Sequence, residues 1–387
     1  MSNESVPDHF KYVNYGDLQM MLRTFEDVST QTAGALERRG IKRYPTRHCT
    51  SIQYPGSDLV IGSRIEVVGH LPALAEIVAR TINDGRTFFH SVGWAAVNCS
   101  TQDVIVHGHD VNFVEGGFGF NQYSWGKANP PRLHDFACGM RDACLELHAE
   151  YPGGETASLP FIVNPQSYIG DTPVLFSNAH GSTDVTGLII GDAMEAGLVI
   201  LGTQSTGPQV NGISGIMDLP GFPGILLDRL SDDTLFGEAV MKPMGCYWKL
   251  VSILKGAGVR IKAMMAGSGG GVGKLAFDKR DFTYQIEHWP EPLPVFKKIM
   301  DIIKLKRDVP RPAYSFLKQF NAGVGWFVFV HPQDEELAIR VSKPTRTRLM
   351  RLGMVEEGKR GTRFEPDSAA WLEFVPPQER WLDPQEF

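Results

Sequence analysis

Short apolar runs of strand length alternate with stretches of helical spacing twice along this chain, and that double alternation limits its fold more than any other feature. The first series opens at Leu59, Val60 and Ile61 and continues over 63–68 as an early strand pair. Residues 71–82 carry helical spacing, 88–110 read as a buried helix running into a strand at Val104, Ile105 and Val106, and 133–150 return to a helix. Strand candidates at 173–176 and 185–190 close the series, and the turn at 192–197 separates it from the next. The second series has strands at 198–202, 261–265 and 325–331, and helical spacing at 247–255 and 294–303, with helical or mixed patterning over 335–352. A chain of 387 residues exceeds one ordinary core, so the order β, α, β repeated in both halves predicts two domains of α/β or α+β class. We divide it into an N-terminal segment (1–50), a first domain (51–195), a second domain (196–350) and a C-terminal tail (351–387).

Charge narrows the function. With 38 Lys and Arg against 44 Asp and Glu, the chain is net acidic by 6, which points away from nucleic acid and toward a small-molecule substrate. Five cysteines form no C-x-x-C pair, so reduced thiols in cytoplasm are expected rather than a zinc cage or a disulfide framework. No apolar run approaches the roughly 18 residues of a membrane span, and no apolar signal core opens the chain, so neither export nor membrane anchoring is expected.

Glycine-rich segments carry the chemistry. The cluster from Gly267 to Gly273, followed by Lys274, suggests a phosphate loop but fails its register, since Ser268 stands at the first glycine position and Leu275 follows the lysine. Glycines there still let backbone amides approach an anion. Two further segments accompany it, Gly207-Pro208-Gln209-Val210-Asn211-Gly212 and Phe320-Asn321-Ala322-Gly323-Val324-Gly325. In this order the three resemble the second domain of aminoimidazole ribonucleotide synthase, whose pieces read G-P-H-S-N-G, T-G-G-G and F-N-x-G-V-G. The first half adds Val92-Gly93 through Val97, then Gln102-Asp103-Val104-Ile105-Val106 with Gly108, similar to the family's helix and N-D-L-V-V-x-G strand. Gly153-Gly154-Glu155-Thr156-Ala157 matches G-G-E-T-A, and Asp184-Val185-Thr186-Gly187 matches D-V-A-G. The resemblance covers about 59–330.

It implies a PurM-like two-domain fold, in which the N-terminal sheet joins that of a second copy in a shared barrel, so a homodimer is expected. It also implies ATP and Mg2+, because a hard cation takes carboxylate and phosphate oxygens. Asp103 and Glu155 stand where the family keeps metal-binding acids and are expected to face one groove, with Glu66 as a third acid. Gly207, Asn211, Gly267, Gly269, Gly270, Gly271 and Gln102 fall at nucleotide-binding positions. Lys42, in the basic stretch Arg38, Arg39, Lys42, Arg43 and Arg47, is the candidate for the lysine that a mobile N-terminal segment brings to the nucleotide in relatives. His109, beside Asp110, is the candidate substrate contact, whereas His107 and His180 read as loop or core residues.

The chain departs from the family where D-G-V-G-T-K becomes Ser63-Arg64-Ile65-Glu66-Val67-Val68-Gly69-His70-Leu71, which removes the Thr-Lys pair and leaves Arg64 or His70 as substitutes. Gln209 and Val210 replace the family's His-Ser. An aromatic, glycine-rich insertion at 115–129, with Phe118, Phe120, Tyr123 and Trp125, reads as a substrate lid or equally as a packed surface loop. The expected activity is an ATP-dependent ligase or cyclase that activates a carbonyl or amide oxygen of a specialised metabolite or nucleotide precursor. A small-molecule kinase, as in the related thiamine-phosphate kinases, and a non-catalytic nucleotide-binding scaffold are the alternatives.

Overall fold

Alternation of buried and exposed side chains along the longer strands sorts the chain into two sheets. A computed structural model describes residues 15–163, 171–267, 271–305, 311–365 and 377–383. The first sheet contains β1 (Lys42–Tyr44), β2 (Thr50–Gln53), β3 (Leu59–Val67), β4 (Asp110–Phe120), β5 (Gly154–Ser158) and β6 (Val174–Asp184), in the order β1-β2-β3-β6-β4-β5. All pairs are antiparallel except β4 with β5. Its inner face is covered by the helix Phe89–Ile105, which packs in turn on the helix Pro130–Leu147.

Those two helices approach unusually closely, because a glycine on each faces the backbone of the other. A Cβ on Gly93 would lie 2.0 Å from the Phe136 carbonyl oxygen, and one on Gly139 would lie 2.0 Å from that of His90. Among the described residues nothing covers the outer face of the sheet. Leu59, Ile61, Ile65, Val67, Val174 and Phe176 all point there and are exposed, Ile65 by 64%.

The second sheet contains β7 (Val199–Gln204), β8 (Ile261–Ala266), β9 (Phe282–Ile286), β10 (Val324–Val330), β11 (Leu349–Glu357), β12 (Gly361–Phe364) and β13 (Trp381–Leu382), in the order β13-β12-β9-β11-β7-β10-β8. Every residue of β10 is buried, which explains its unbroken apolar run. The described part of 351–387 therefore belongs to the second sheet, and β1 joins residues 42–44 of the N-terminal segment to the first.

One continuous apolar core runs through both halves. Hydrogen bonds also cross between them: Ser91 Oγ donates to the Met241 carbonyl (2.5 Å), Trp94 Nε1 to that of Met244 (2.7 Å), and Lys255 Nζ to that of Gly108 (2.7 Å). Trp248 Nε1 donates to Asp110 Oδ1 at 3.2 Å.

Several stretches differ from their sequence reading: residues 185–190, expected as a strand, form the turn and irregular chain after β6, and the strand pair expected over 59–68 is the single strand β3. Val104 and Ile105 end the helix Phe89–Ile105, and β4 begins only at Asp110; burial of the whole turn 102–105 favours β-branched side chains without requiring a strand. The stretch 116–131 is no open loop, since its first residues complete β4 and Ser124–Ala128 is a short helix. Trp125 is buried against Phe89 and Phe120, at ring separations of 5.8 and 5.4 Å, and its Nε1 donates to the Asp171 carbonyl. Of the two readings of the insertion, this is the packed one.

Candidate active site

The three glycine-rich segments of the second half meet in space, and two asparagines hold them together. Asn321 Nδ2 donates to the carbonyl of Gly207 at 3.0 Å, while its Oδ1 accepts from Ser205 Oγ and the Gly323 amide. Asn211 Nδ2 donates to the Gly267 carbonyl at 2.7 Å. Glycine is required where the backbones touch: a Cβ on Gly267 would lie 2.3 Å from the Val324 carbonyl oxygen, and one on Gly271, whose φ is +57°, 1.9 Å from that of Leu317. Gln209 has turned inward, donating from Nε2 to the buried Tyr247 hydroxyl, while Val210 and Asn211 line a cavity.

That cavity, of about 320 Å3, lies where the second half meets the first, and it is strongly charged. The helix Phe89–Ile105 brings Cys99, Gln102 and Asp103 to it, β3 brings Arg64 and Glu66, and the 271–275 turn brings Lys274. Arg64 and Glu66 share a face because side chains alternate along a strand. The Arg64 guanidinium bridges the two acids, hydrogen bonding to Glu66 and lying 3.1 Å from Asp103 Oδ2 through Nε. Burial opposes the arginine's charge, but the two carboxylates outweigh it and its pKa rises.

Burial also governs Asp103, pushing it up to about 6; Lys274 and Arg64 pull it down, and neighbouring Glu66 pushes it further up. Lys274 is lowered by its own burial, against the attraction of Asp103 and Glu66. Gln102 is buried and donates to the Gly245 carbonyl at 3.3 Å. His48, from the turn before β2, completes the wall.

Several expected site residues lie elsewhere. Glu155 does not share this cavity, and the sheet register gives the reason. Glu66 pairs with Ser177, Ser177 with Gly116, and Gly116 with Gly154, so these four form one row across the sheet. Ser177 in that row is buried and donates to Ser100 Oγ of the covering helix. Glu155 falls in the next row, with Gly117, Phe176 and Val67, and so points to the uncovered face. There it lines a separate open depression of about 460 Å3 with Ile65, Glu115 and Asn178.

His109 is also outside the groove. It is buried behind Gly62, with Nε2 3.0 Å from Ser51 Oγ, and burial lowers it to about 4. Lys42 stands exposed on β1 with its ammonium 4.4 Å above the Tyr44 ring. Gly269 and Gly270 lie outside the described residues. Two wall residues, in turn, escaped the sequence reading. Lys274 was visible after its glycines but was set aside with the phosphate-loop register, and nothing in the sequence around His48 marks it as a site residue.

The donor set suits a hard cation that a phosphate helps to hold. Asp103 and Glu66 line the same cavity, and Arg64 lies between them. Among the described residues no group of three or more His, Cys, Asp or Glu would hold a metal by protein ligands alone. Mg2+ commonly takes one or two carboxylates and completes its shell with substrate oxygens, so two converging acids fit it.

Comparison with known proteins agrees with this architecture. No family model matches the sequence. The chain is 25% identical over 277 residues to the phosphoribosylformylglycinamidine cyclo-ligase of Agathobacter rectalis, covering 70% of this chain and 76% of that one. It is 30% identical over 220 residues to the cyclo-ligase of Methanobrevibacter smithii, covering 56% and 60% respectively. Among solved structures, the hydrogenase maturation protein HypE in complex with ATP superposes with a TM-score of 0.54 at 16% identity, over 81% of this chain and 84% of that one. AaThiL complexed with AMPPCP and TMP gives 0.53 at 15%, over 93% and 95%. In sequence the chain thus resembles the aminoimidazole ribonucleotide synthase, or PurM-like, cyclo-ligases as a divergent relative, and it shares its two-sheet fold with the solved structures above.

Proposed function

We propose that the chain is an ATP-dependent ligase or cyclase acting on a small molecule, with the nucleotide's phosphates bound in the Asp103 groove. The observation that carries this reading is the convergence, in one cavity, of two acids and two cations: Asp103 and Glu66 with Arg64 and Lys274. The cations stand in for the family's missing Thr-Lys pair, and neutralising phosphate charge is the protein's main task in phosphoryl transfer. Asn211 and the backbone at Gly207, Gly267 and Gly271 shape the wall of the groove on the nucleotide side. Mg2+ held by Asp103 and Glu66 would supply charge neutralisation between the acids and the phosphates.

In the reaction, a carbonyl or amide oxygen of the substrate attacks the γ-phosphorus and ADP leaves. A nitrogen nucleophile then adds to the activated carbon, and inorganic phosphate departs with the oxygen. Arg64 and Lys274 offset the negative charge that accumulates on the transferring group. In this reading the protein works in the cytoplasm with its cysteines reduced, and as a homodimer joined through the apolar outer face of the first sheet. Glu155, on that outer face, is assigned to the substrate end rather than to the nucleotide.

Separation of Glu155 from Asp103 favours a second reading, in which the groove binds nucleotide without turnover. Calorimetry with ATP and magnesium chloride, followed by product analysis across candidate substrates, decides among the readings. Tight binding lost in Asp103→Asn, with free phosphate and a new C–N bond, supports the ligase. A stable phosphorylated product would make it a kinase, and binding with no turnover would leave a scaffold. Absence of magnesium-dependent binding by the wild type would end all three.

A further inference from the structure

We propose that His48 is a phosphate-binding residue of the groove and that His107 is the residue that positions it. This inference rests on the reading of the groove as a polyphosphate site and adds two residues that the sequence motifs do not bring into it.

His48 sits on the turn between β1 and β2 and lines the same cavity as Lys274, Arg64, Glu66 and Asp103. The turn is fastened at three points. Thr46 Oγ1 donates to the Cys49 carbonyl at 2.7 Å, Cys49 Sγ lies 3.4 Å from Ser51 Oγ, and Ser51 Oγ lies 3.0 Å from His109 Nε2. The fastening nearest the ring is different in kind, because the His48 backbone N–H donates to His107 Nε2 at 3.0 Å.

His107 can accept there only as one tautomer. Its Nδ1 lies 2.6 Å from the Ile189 carbonyl, which can only accept, so Nδ1 carries the proton and Nε2 the lone pair. Burial, which lowers His107 to about 4, keeps it in this neutral form. The two rings stand 5.8 Å apart and tilted by 31°, and the clamp fixes the backbone of His48 at the cavity wall.

The groups facing His48 suit an anion. Burial and the positive charge of Lys274, with His107, Arg47 and Arg64 beyond it, depress its proton affinity to about 3. A neutral imidazole presents one N–H, and a donor beside two cations is a phosphate contact that adds no further repulsion to the empty pair. The charge of the groove thus comes from Arg64 and Lys274, and direction comes from His48.

The test uses inorganic tripolyphosphate and ATP, each with magnesium chloride, titrated into the full chain by calorimetry. His48→Leu, which removes the ring N–H, is expected to weaken tripolyphosphate binding about tenfold, the usual loss for a hydrogen bond to a charged group. His48→Lys, which returns a donor and adds a charge, is expected to bind at least as tightly as wild type. His107→Leu should weaken binding about as much as His48→Leu, and the double variant no further, because the two act through one contact. Wild-type affinity in both His48 variants would overturn the proposal. So would equal weakening in both with a lowered melting temperature, which would mark a structural role. Failure of the wild type to bind either ligand would instead defeat the nucleotide reading on which this one stands.

Discussion

Asp103 is under two opposed demands. Burial raises it to about 6, so the folded chain retains a proton there that the unfolded chain, with an ordinary value of 3.8, has released. Its contribution to stability is therefore full below about pH 4 and is lost as pH rises through 6. Cation binding needs the opposite, ionised form. Asp103→Asn should accordingly stabilise the fold at pH 8, by about 1–2 kcal/mol. Urea denaturation should show this gain shrinking at pH 5, and magnesium-dependent nucleotide binding should be weakened at both. A variant that is less stable at pH 8 than wild type would contradict this account of the buried charge. The sequence set Asp103 at the start of the strand expected at 104–106, whereas it stands in the last turn of the helix Phe89–Ile105, which carries it to the groove wall. Nor was the face of Glu155 legible, because it depends on a register shared by four strands, and a shift of one residue reverses it.

Among the elements, the crossing of the helices Phe89–Ile105 and Pro130–Leu147 places Asp103. Two glycines set its distance, each facing a carbonyl of the other helix. Gly139→Ala should push the helices apart and cost about 2–3 kcal/mol, with a matching fall in melting temperature. Gly256→Ala serves as the control, since a Cβ at the end of its helix meets nothing within 4 Å and should be neutral or slightly stabilising. Equal effects at the two positions would show that close packing is not what Gly139 provides. Helical periodicity made both helices visible in advance. The strand expected at 104–106 failed because burial and pairing partners, which a local pattern does not contain, decided it. The glycines of β4 read as a loop, yet Gly116 lies where a Cβ on Gly154 would come within 1.9 Å of its carbonyl oxygen.

At the scale of the molecule, the outer face of the first sheet is the main unfinished surface. Six apolar side chains lie on it in adjoining rows of β3 and β6. A patch of that kind on a folded protein marks an interface. Ile65→Asp should convert a dimer into monomers, read by sedimentation velocity, while circular dichroism stays unchanged because the residue is 64% exposed in the single chain. A wild type that sediments as a monomer at high concentration would remove the dimer from the proposal. The first sheet ends at Asp184 and the second begins at Val199, but the sequence left no trace of how the halves join. Ser91, Trp94, Lys255 and Trp248 each reach across to the other half, three of them to a main-chain carbonyl. Bolted in this way, the lobes resist opening like a clam shell, which in the proposed reading bears on how a nucleotide is admitted. In that reading entry comes by yielding of the small turns at the rim, and a gene severed at the midpoint would give two fragments that need each other to become soluble.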